Sequence, residues 1–268
     1  MIQIIVSKDG KKLFNRTELG IVSYYLWNSS YTGDCKFVEA SDNGEDSMVR
    51  PLFMTGHDII LPQNKFVSIV DKIRSTSFVP LNSISTGRDA FGINGKDFES
   101  KSSENAFRDA VKVQCAHEQV RYYARDKVVK GLSFLDSWNV FTSKGNGGAG
   151  LLTDGKEVSI IGKAFVAEPG MACTDSLIPF GQFTTKLQAD HLKKYMATKF
   201  LRFLVGILKV SQNLYQNVYA FVPLQDFSSK SDIDWTKSIG EIDRQLYVKY
   251  KLSDDEQKFI DSMIKPME

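Results

Sequence analysis

Apolar and polar positions recur along this chain with two different periods, and the periods predict which stretches are helix and which are strand. From Lys186 to Phe227, Leu192, Met196, Phe200, Phe203, Leu204 and Ile207 recur at spacings of three and four. That spacing predicts one long amphipathic helix with these residues on its inner face. Thr184 or Thr185 stands where its N-cap belongs. Lys199, Arg202 and Lys209 fall on a flank beside the apolar face, with Tyr195 among them. The flank reads either as the solvated side of a core helix or as a surface turned towards phosphates. A polar, aromatic turn, SQNLYQN, and a strand-like run, VYAFVP, follow it.

Shorter apolar runs predict strands elsewhere. Ile2–Val6 reads as an edge strand. Ile21–Trp27 reads as a stronger one, paired across the turn NSSYTGD with Cys35–Val38. Ser41–Asp46 is polar and loop-like. A helix over Gln63–Arg74 turns Phe66, Ile69, Val70 and Ile73 inward. Asn82–Phe98, rich in glycine and turn residues, reads as loop. Ala110–Cys115, Gln119–Ala124, Trp138–Ser143, Val158–Ile161, Ala164–Ala167 and Cys173–Phe180 read as strands, and Arg125–Lys130 as the start of a short helix. Past the polar linker SSKSDIDW, Thr236–Tyr250 places Ile239, Ile242, Leu246 and Tyr250 on one helical face. Ser253 and Glu256 have capping-box spacing ahead of Phe259, Ile260 and Met263. The expected fold is α+β: a mixed, mainly β domain over residues 1–227 with one long core helix, and a helical hairpin over 228–268 packed on it.

Composition narrows the setting. The 268 residues suffice for one large domain or two small ones. The net charge is only +2, so any surface for a polyanion has to be local. Cys35, Cys115 and Cys173 are far apart, with neither zinc-site nor disulfide-framework spacing, which fits a reducing cytoplasm. No apolar run approaches the ~18 residues of a membrane span. The segment MIQIIVSKDGKK lacks the pattern of a signal peptide, with its basic residues after the apolar run.

Candidate chemistry is sparse. Gly145–Gly150, GNGGAG, matches G-x-G-x-x-G after a strand, but LLTDGKEVSII follows and reads as turn and strand. A dinucleotide site needs a helix there, so that its N-terminus holds the pyrophosphate. The segment reads instead as a hairpin tip, or as a loop approaching a polyanion through Lys144 and Asn146. Glu99-Ser100-Lys101 has the E-x-K half of a metal-dependent nuclease site, with Asp89 and Asp97 upstream. Such sites need carboxylates on adjacent strands, whereas this stretch reads as a polar loop. No G-x-S-x-G, H-E-x-x-H or motif-placed Cys–His pair occurs. No catalytic residue, metal ligand or bound cofactor is therefore assigned. Gln212, Asn213, Tyr215 and Gln216 follow the long helix, where amides can pair bidentately with adenine. Arg88 can pair likewise with guanine or hold a phosphate.

Several segments carry a family resemblance: SYYLWNSSYTGDCKF, GRDAFG at Gly87–Gly92, FTSKGNGGAG at Phe141–Gly150 and GKAFVAEPGMACTDS at Gly162–Ser176. They continue through YMATKFLRFLVGILKVSQ and YAFVPLQDF to the closing stretch SDIDWTKSIGEIDRQLYVKYKLSDDEQKFIDSMIKPME. Together, over roughly Phe14 to Glu268, the chain resembles the C-terminal target-recognition region of type II restriction–modification DNA adenine methyltransferases, the kind with a TaqI-like specificity domain. The resemblance implies sequence-specific binding of double-stranded DNA; the residue pattern then puts Lys199, Arg202, Lys209, Lys144 and Asn146 at phosphates, Gln212, Asn213, Tyr215 and Gln216 near bases, and Arg88 at a guanine or a phosphate. In that family a methyltransferase domain precedes this region, binds S-adenosylmethionine and holds the flipped adenine with an Asn/Asp-Pro-Pro-aromatic motif. This chain has no Asn-Pro-Pro or Asp-Pro-Pro. It is expected to begin about where specificity regions begin, to lack methyl transfer by itself, and to work with a separate or missing catalytic domain or subunit that carries S-adenosylmethionine. GRDAFG departs from the family pattern, which tends to have a second basic residue and a proline where Asp89 and Ala90 stand. A nuclease using Glu99 and Lys101, and a remnant that folds without binding, are the competing expectations.

Overall fold

The computed structural model describes residues 1–7, 22–41, 44–54, 59–93, 95–145, 152, 157–209 and 211–267. The chain divides into two compact units, Met1–Lys72 and Ile73–Glu268. Among the described residues it forms strands in three sheets, two of them mixed and one antiparallel, together with seven α-helices, an α+β fold.

The first unit is a four-stranded sheet of β1 (Gln3–Ser7), β2 (Val22–Leu26), β3 (Cys35–Ser41) and β4 (Gly44–Arg50), in the order β2-β1-β3-β4. Ile4 faces Tyr25 across an antiparallel pair and Phe37 across a parallel one. The first strand, expected at an edge, is thus interior, and it separates the two strands expected to form a hairpin. The physical reason is burial. Ile4, Cys35 and Phe37 form a small core with Met1, Val6 and Leu52 against it. The apolar first strand therefore takes the inside, and the polar GEDSMVR strand takes an edge. That edge strand reads as loop in the sequence because side chains exposed on both faces carry no period of two; its pairing is made by backbone alone. Its last residue, Arg50, lies over the Phe37 ring at 3.9 Å and donates to the carbonyl of Leu61 at 2.7 Å. At the opposite edge, Tyr24, Tyr25, Leu26 and Trp27 are exposed. Helix α1 (Asn64–Arg74) buries Phe66, Ile69, Val70 and Ile73, as its periodicity predicts.

The second unit holds two three-stranded sheets. β5 (Ala110–Gln114), β6 (Val120–Ala124) and β9 (Met171–Cys173) order as β6-β5-β9. β7 (Trp138–Ser143), β8 (Phe165–Ala167) and β10 (Leu177–Phe183) order as β10-β7-β8. Val111, Val113, Phe141 and Ala172 from these strands share a core with Phe91, with Phe98 of α2 (Gly95–Lys101), and with Phe134 and Leu135 of α3 (Leu132–Leu135). The α2 stretch has no helical apolar stripe, which is why the sequence reads it as loop, and the short helix expected to start over Arg125–Lys130 is a 3-10 turn at Arg125–Lys127 with α3 following at Leu132. Two expected strands are absent. Val158 makes only a single bridge to Ile264, and VYAFVP contributes a 3-10 turn at Gln216–Tyr219 and a bridge from Pro223 to Pro80.

The long helix is two helices, α4 (Lys186–Ala197) and α5 (Lys199–Leu208). Thr198 between them is extended (φ −65°, ψ 147°), and its side chain accepts from the backbone N–H of Leu201 to cap α5, as Thr185 caps α4 through Gln188. α4 packs on the β10-β7-β8 sheet. The tail forms α6 (Ile239–Lys249) and α7 (Asp254–Met263), each opened by a full capping box, Ser238 with Glu241 and Ser253 with Glu256. α6 contacts α4 and α5, and α7 contacts α5, with Ile242, Leu246, Ile260 and Met263 buried. The helical tail packs within the same compact unit as the helices it covers, and the units divide after Lys72 rather than at residue 227.

Candidate nucleic-acid interface

The break at Thr198 decides the fate of the basic flank. A continuous helix would keep Lys199, Arg202 and Lys209 beside the apolar face. The restarted helix instead turns them into the protein. Arg202 is 0% exposed; its Nε donates to the Thr198 carbonyl at 3.2 Å and one terminal nitrogen to the Lys265 carbonyl at 2.7 Å. Burial lowers its pKa to about 10, against the pull of Asp243. Lys209 is 2% exposed, donates to the Ile160 carbonyl at 3.0 Å, and has its pKa lowered by burial. Lys199 donates to the Asp261 carbonyl at 2.8 Å and pairs with the Asp261 carboxylate at 3.6 Å. The expectation of a phosphate-facing flank is overturned. These three cations are engaged inside the second unit, two of them holding its C-terminal segment to α5. Arg121 of β6 and Arg125 just after it are engaged as well. Arg121 donates twice to Ser102, and Arg125 pairs with Asp136 at 2.6 Å.

The other candidates converge. Lys144 follows β7 directly, and the turn Thr174–Ser176 precedes β10; Ser143 pairs with Leu177, so both lie at one end of the β10-β7-β8 sheet. The backbone N–H of Lys144 donates to the Ser176 carbonyl at 2.9 Å, while its own carbonyl accepts from Leu214 at 2.7 Å. Gly145 bridges to Asn213. The segment after α5 is thereby clipped to the end of β7, with Gln212 exposed and Asn213 half-buried. Asn146 lies outside the described residues.

Arg88 reaches the same place from a third segment. Its loop is fixed by Ser85, whose hydroxyl donates to the Pro179 carbonyl at 3.0 Å and accepts from Gly87 at 3.2 Å. Gly87 sits at φ +76°, where a side chain is strained, and a Cβ there would stand 3.3 Å from Oε1 of Gln216. Gln216 explains the close approach: its Nε2 donates to the carbonyls of Asn82 and Ser85, both at 2.8 Å. Both amide protons are therefore spent on the backbone, and Gln216 cannot offer a donor to adenine. It is a strut for the Arg88 loop rather than a base reader.

The guanidinium of Arg88 lies 5.5 Å from the Tyr215 ring centroid, within cation–π range. One terminal nitrogen stands 3.4 Å from Oδ2 of Asp175, and Nζ of Lys144 stands 2.8 Å from the same oxygen. The side chains are 51% exposed for Arg88 and 31% for Lys144 and Asp175, so all three meet solvent. The Lys144 hydrogen bond, assisted by Arg88 and opposed by partial burial, holds the Asp175 carboxyl below the usual carboxylate range. Sequence reasoning missed Asp175. The only signal was an acidic residue in a turn between two apolar runs, and placing it beside Lys144 requires the β7–β10 register across about thirty residues of chain.

Glu99 and Lys101 lie on α2. A helix turns residues two apart by about 200°, so the E-x-K pair diverges instead of lining adjacent strands. Among the described residues no group of three metal-ligating side chains gathers, and no helix is long and apolar enough to cross a membrane. Cys35, Cys115 and Cys173 are free thiols. No protein-family model matches the chain, and no curated protein matches it.

Proposed function

We propose that this chain is a sequence-reading module for duplex DNA that serves the catalytic part of a restriction–modification adenine methyltransferase. The observation that carries the reading is the convergence of Arg88, Lys144 and Tyr215, with Gln212 and Asn213 beside them, at one solvent-facing end of a sheet. This set combines a fork-shaped donor for guanine or phosphate, a point charge for phosphate, an aromatic face and amides. A cluster so small suits a chain of nearly balanced charge, because selectivity then rests on geometry more than on bulk attraction. The resemblance of the segments that supply these residues to target-recognition regions points the same way. Methyl transfer, S-adenosylmethionine and the flipped adenine belong to the catalytic partner, since this chain has no Asn-Pro-Pro or Asp-Pro-Pro. The nuclease alternative loses its basis with Glu99 and Lys101 on a helix.

The test is selection from a pool of random duplexes by the pure protein, followed by titration of the winner at several salt concentrations. Enrichment of one short motif, bound with affinity that falls as salt rises, is the expected result. An unenriched pool together with salt-independent binding would overturn the reading. With magnesium and plasmid present, a shifted but uncut substrate separates a reader from a nuclease.

A further inference from the structure

We infer that Asp175 is the specificity-setting residue of this surface: its carboxylate holds Arg88 and Lys144 in one constellation and limits their attraction to any phosphate. The inference rests on the DNA-reading function proposed above. It begins from a shared atom. Oδ2 of Asp175 meets Nζ of Lys144 at 2.8 Å and a guanidinium nitrogen of Arg88 at 3.4 Å. Two cations from segments more than fifty residues apart are thus tied to one oxygen, and the ring of Tyr215 supports Arg88 from another side. A single acidic oxygen flanked by two cations occupies the position that a phosphate oxygen would take on a surface built only for affinity.

Two consequences follow, and they act on different ligands. The fixed carboxylate narrows the orientations of the Arg88 fork, which favours a base edge presenting two acceptors in one plane. It also cancels one of the two positive charges locally, which weakens binding to a backbone that offers charge without sequence. Asp175 therefore lowers affinity for random DNA and preserves affinity for the preferred site. Its surroundings allow this without strain: it sits in the turn between β9 and β10, held by the Lys144 N–H to Ser176 carbonyl bond and by the Leu177 N–H to Thr174 carbonyl bond at 3.2 Å.

Asp175→Asn tests this with little change of shape. The variant and the parent are titrated with the selected duplex and with a scrambled duplex of equal length, at low and moderate salt. The variant should bind scrambled DNA several-fold more tightly, with a salt slope steeper by about one unit. Its ratio of selected to scrambled affinity should fall about tenfold. Asp175→Glu, which keeps the charge, should retain more of that ratio than the amide does. Equal tightening on both duplexes would reduce Asp175 to a bulk charge and overturn the inference, as would an unchanged ratio; in both cases the DNA-reading function stands. A parent protein that binds neither duplex removes that function and the inference with it. Thermal melting of each variant identifies any loss of fold, and if Asp175→Asn unfolds, Asp175→Ser takes its place in the same comparison, with an unchanged ratio again overturning the inference.

Discussion

Asp243 caps the helix that begins at Lys199. One carboxylate oxygen accepts from the backbone N–H of Lys199 at 3.0 Å and the other from that of Phe200 at 2.9 Å. The cap comes from α6, so one residue of the tail satisfies two of the orphan donors at the start of α5. Burial raises the Asp243 pKa to about 6, more than its two hydrogen bonds and Arg202 lower it.

The sign of the resulting pH effect is fixed by that direction. Between about pH 4 and pH 6 the folded state holds a proton that the unfolded chain has released. The contribution is full below the unfolded value and is lost as pH rises through the folded one. Relative to Asp243→Asn, the parent should lose on the order of 2–3 kcal/mol of stability across that window. Urea titrations of both proteins at pH 4, 5, 6 and 7 measure it. A difference in unfolding free energy that stays flat with pH would show that Asp243 keeps an ordinary carboxylate pKa.

Arg202 gives a prediction about the fold alone. Its guanidinium is fully buried and bonds the carbonyls of Thr198 and Lys265, and its second terminal nitrogen has no hydrogen-bond partner among the described residues. Arg202→Ala leaves a cavity, an unmet Lys265 carbonyl and an Asp243 without its nearby cation, while the Thr198 carbonyl keeps the backbone N–H of residue 202. The expected cost is about 3–5 kcal/mol, read as a lowered denaturation midpoint. Under conditions where the variant is folded, the salt slope of DNA binding should match the parent. A slope flattened by one unit would put Arg202 back among phosphate contacts.

How far the sequence could be read follows from which residues carried local signals. The inner face of Leu192, Met196, Phe200, Phe203, Leu204 and Ile207 was legible because a period near 3.6 survives a single capped break. The break itself was not, because a threonine in mid-helix resembles any other until its side chain is seen accepting from Leu201. That one dihedral sent Arg202 and Lys209 inside. The tail was legible through its capping-box residues and its apolar stripe, both short-range signals. The order β2-β1-β3-β4 was not, since an interior parallel pair leaves no mark in either strand. The site split along the same line. Lys144, Arg88 and Tyr215 were visible as exposed side chains near glycine and turn residues, whereas Asp175 and the strut role of Gln216 depend on contacts spanning 31 to 134 positions.

Trp235 and Leu246 should behave as core residues of the tail. Trp235 is buried between His191, Tyr195 and Phe227, with ring centroids 5.4 to 6.0 Å away, and its indole N–H donates to the Asp226 carbonyl at 3.0 Å. Leu246 is fully buried. Trp235→Ala should cost about 3–5 kcal/mol and Leu246→Ala about 2–5 kcal/mol. Melting curves report the loss, and a binding selection on the folded fraction should return the parent's motif. A variant that melts normally and yet prefers a different sequence would make the tail part of the reading surface.

The most discriminating prediction separates Lys144 from Arg88, which share a partner and differ in what they can bind. Lys144 presents a point charge at the end of β7, and a point charge binds a phosphate without reading the base beside it. Lys144→Met should weaken binding to selected and scrambled duplexes by the same factor and flatten both salt slopes by about 0.9. Arg88 presents a planar fork supported by Tyr215. Arg88→Ala should cost ~1–3 kcal/mol on the selected duplex and much less on the scrambled one. Tyr215→Phe, which keeps the ring under the guanidinium, should stay close to the parent, while Tyr215→Ala should move in the same direction as Arg88→Ala with a smaller effect. Titrations of four variants on two duplexes at two salt concentrations resolve the pattern. If Arg88→Ala weakens both duplexes equally, Arg88 is a second phosphate contact, and base reading must fall to Gln212 or Asn213, whose alanine variants would then carry the loss of preference.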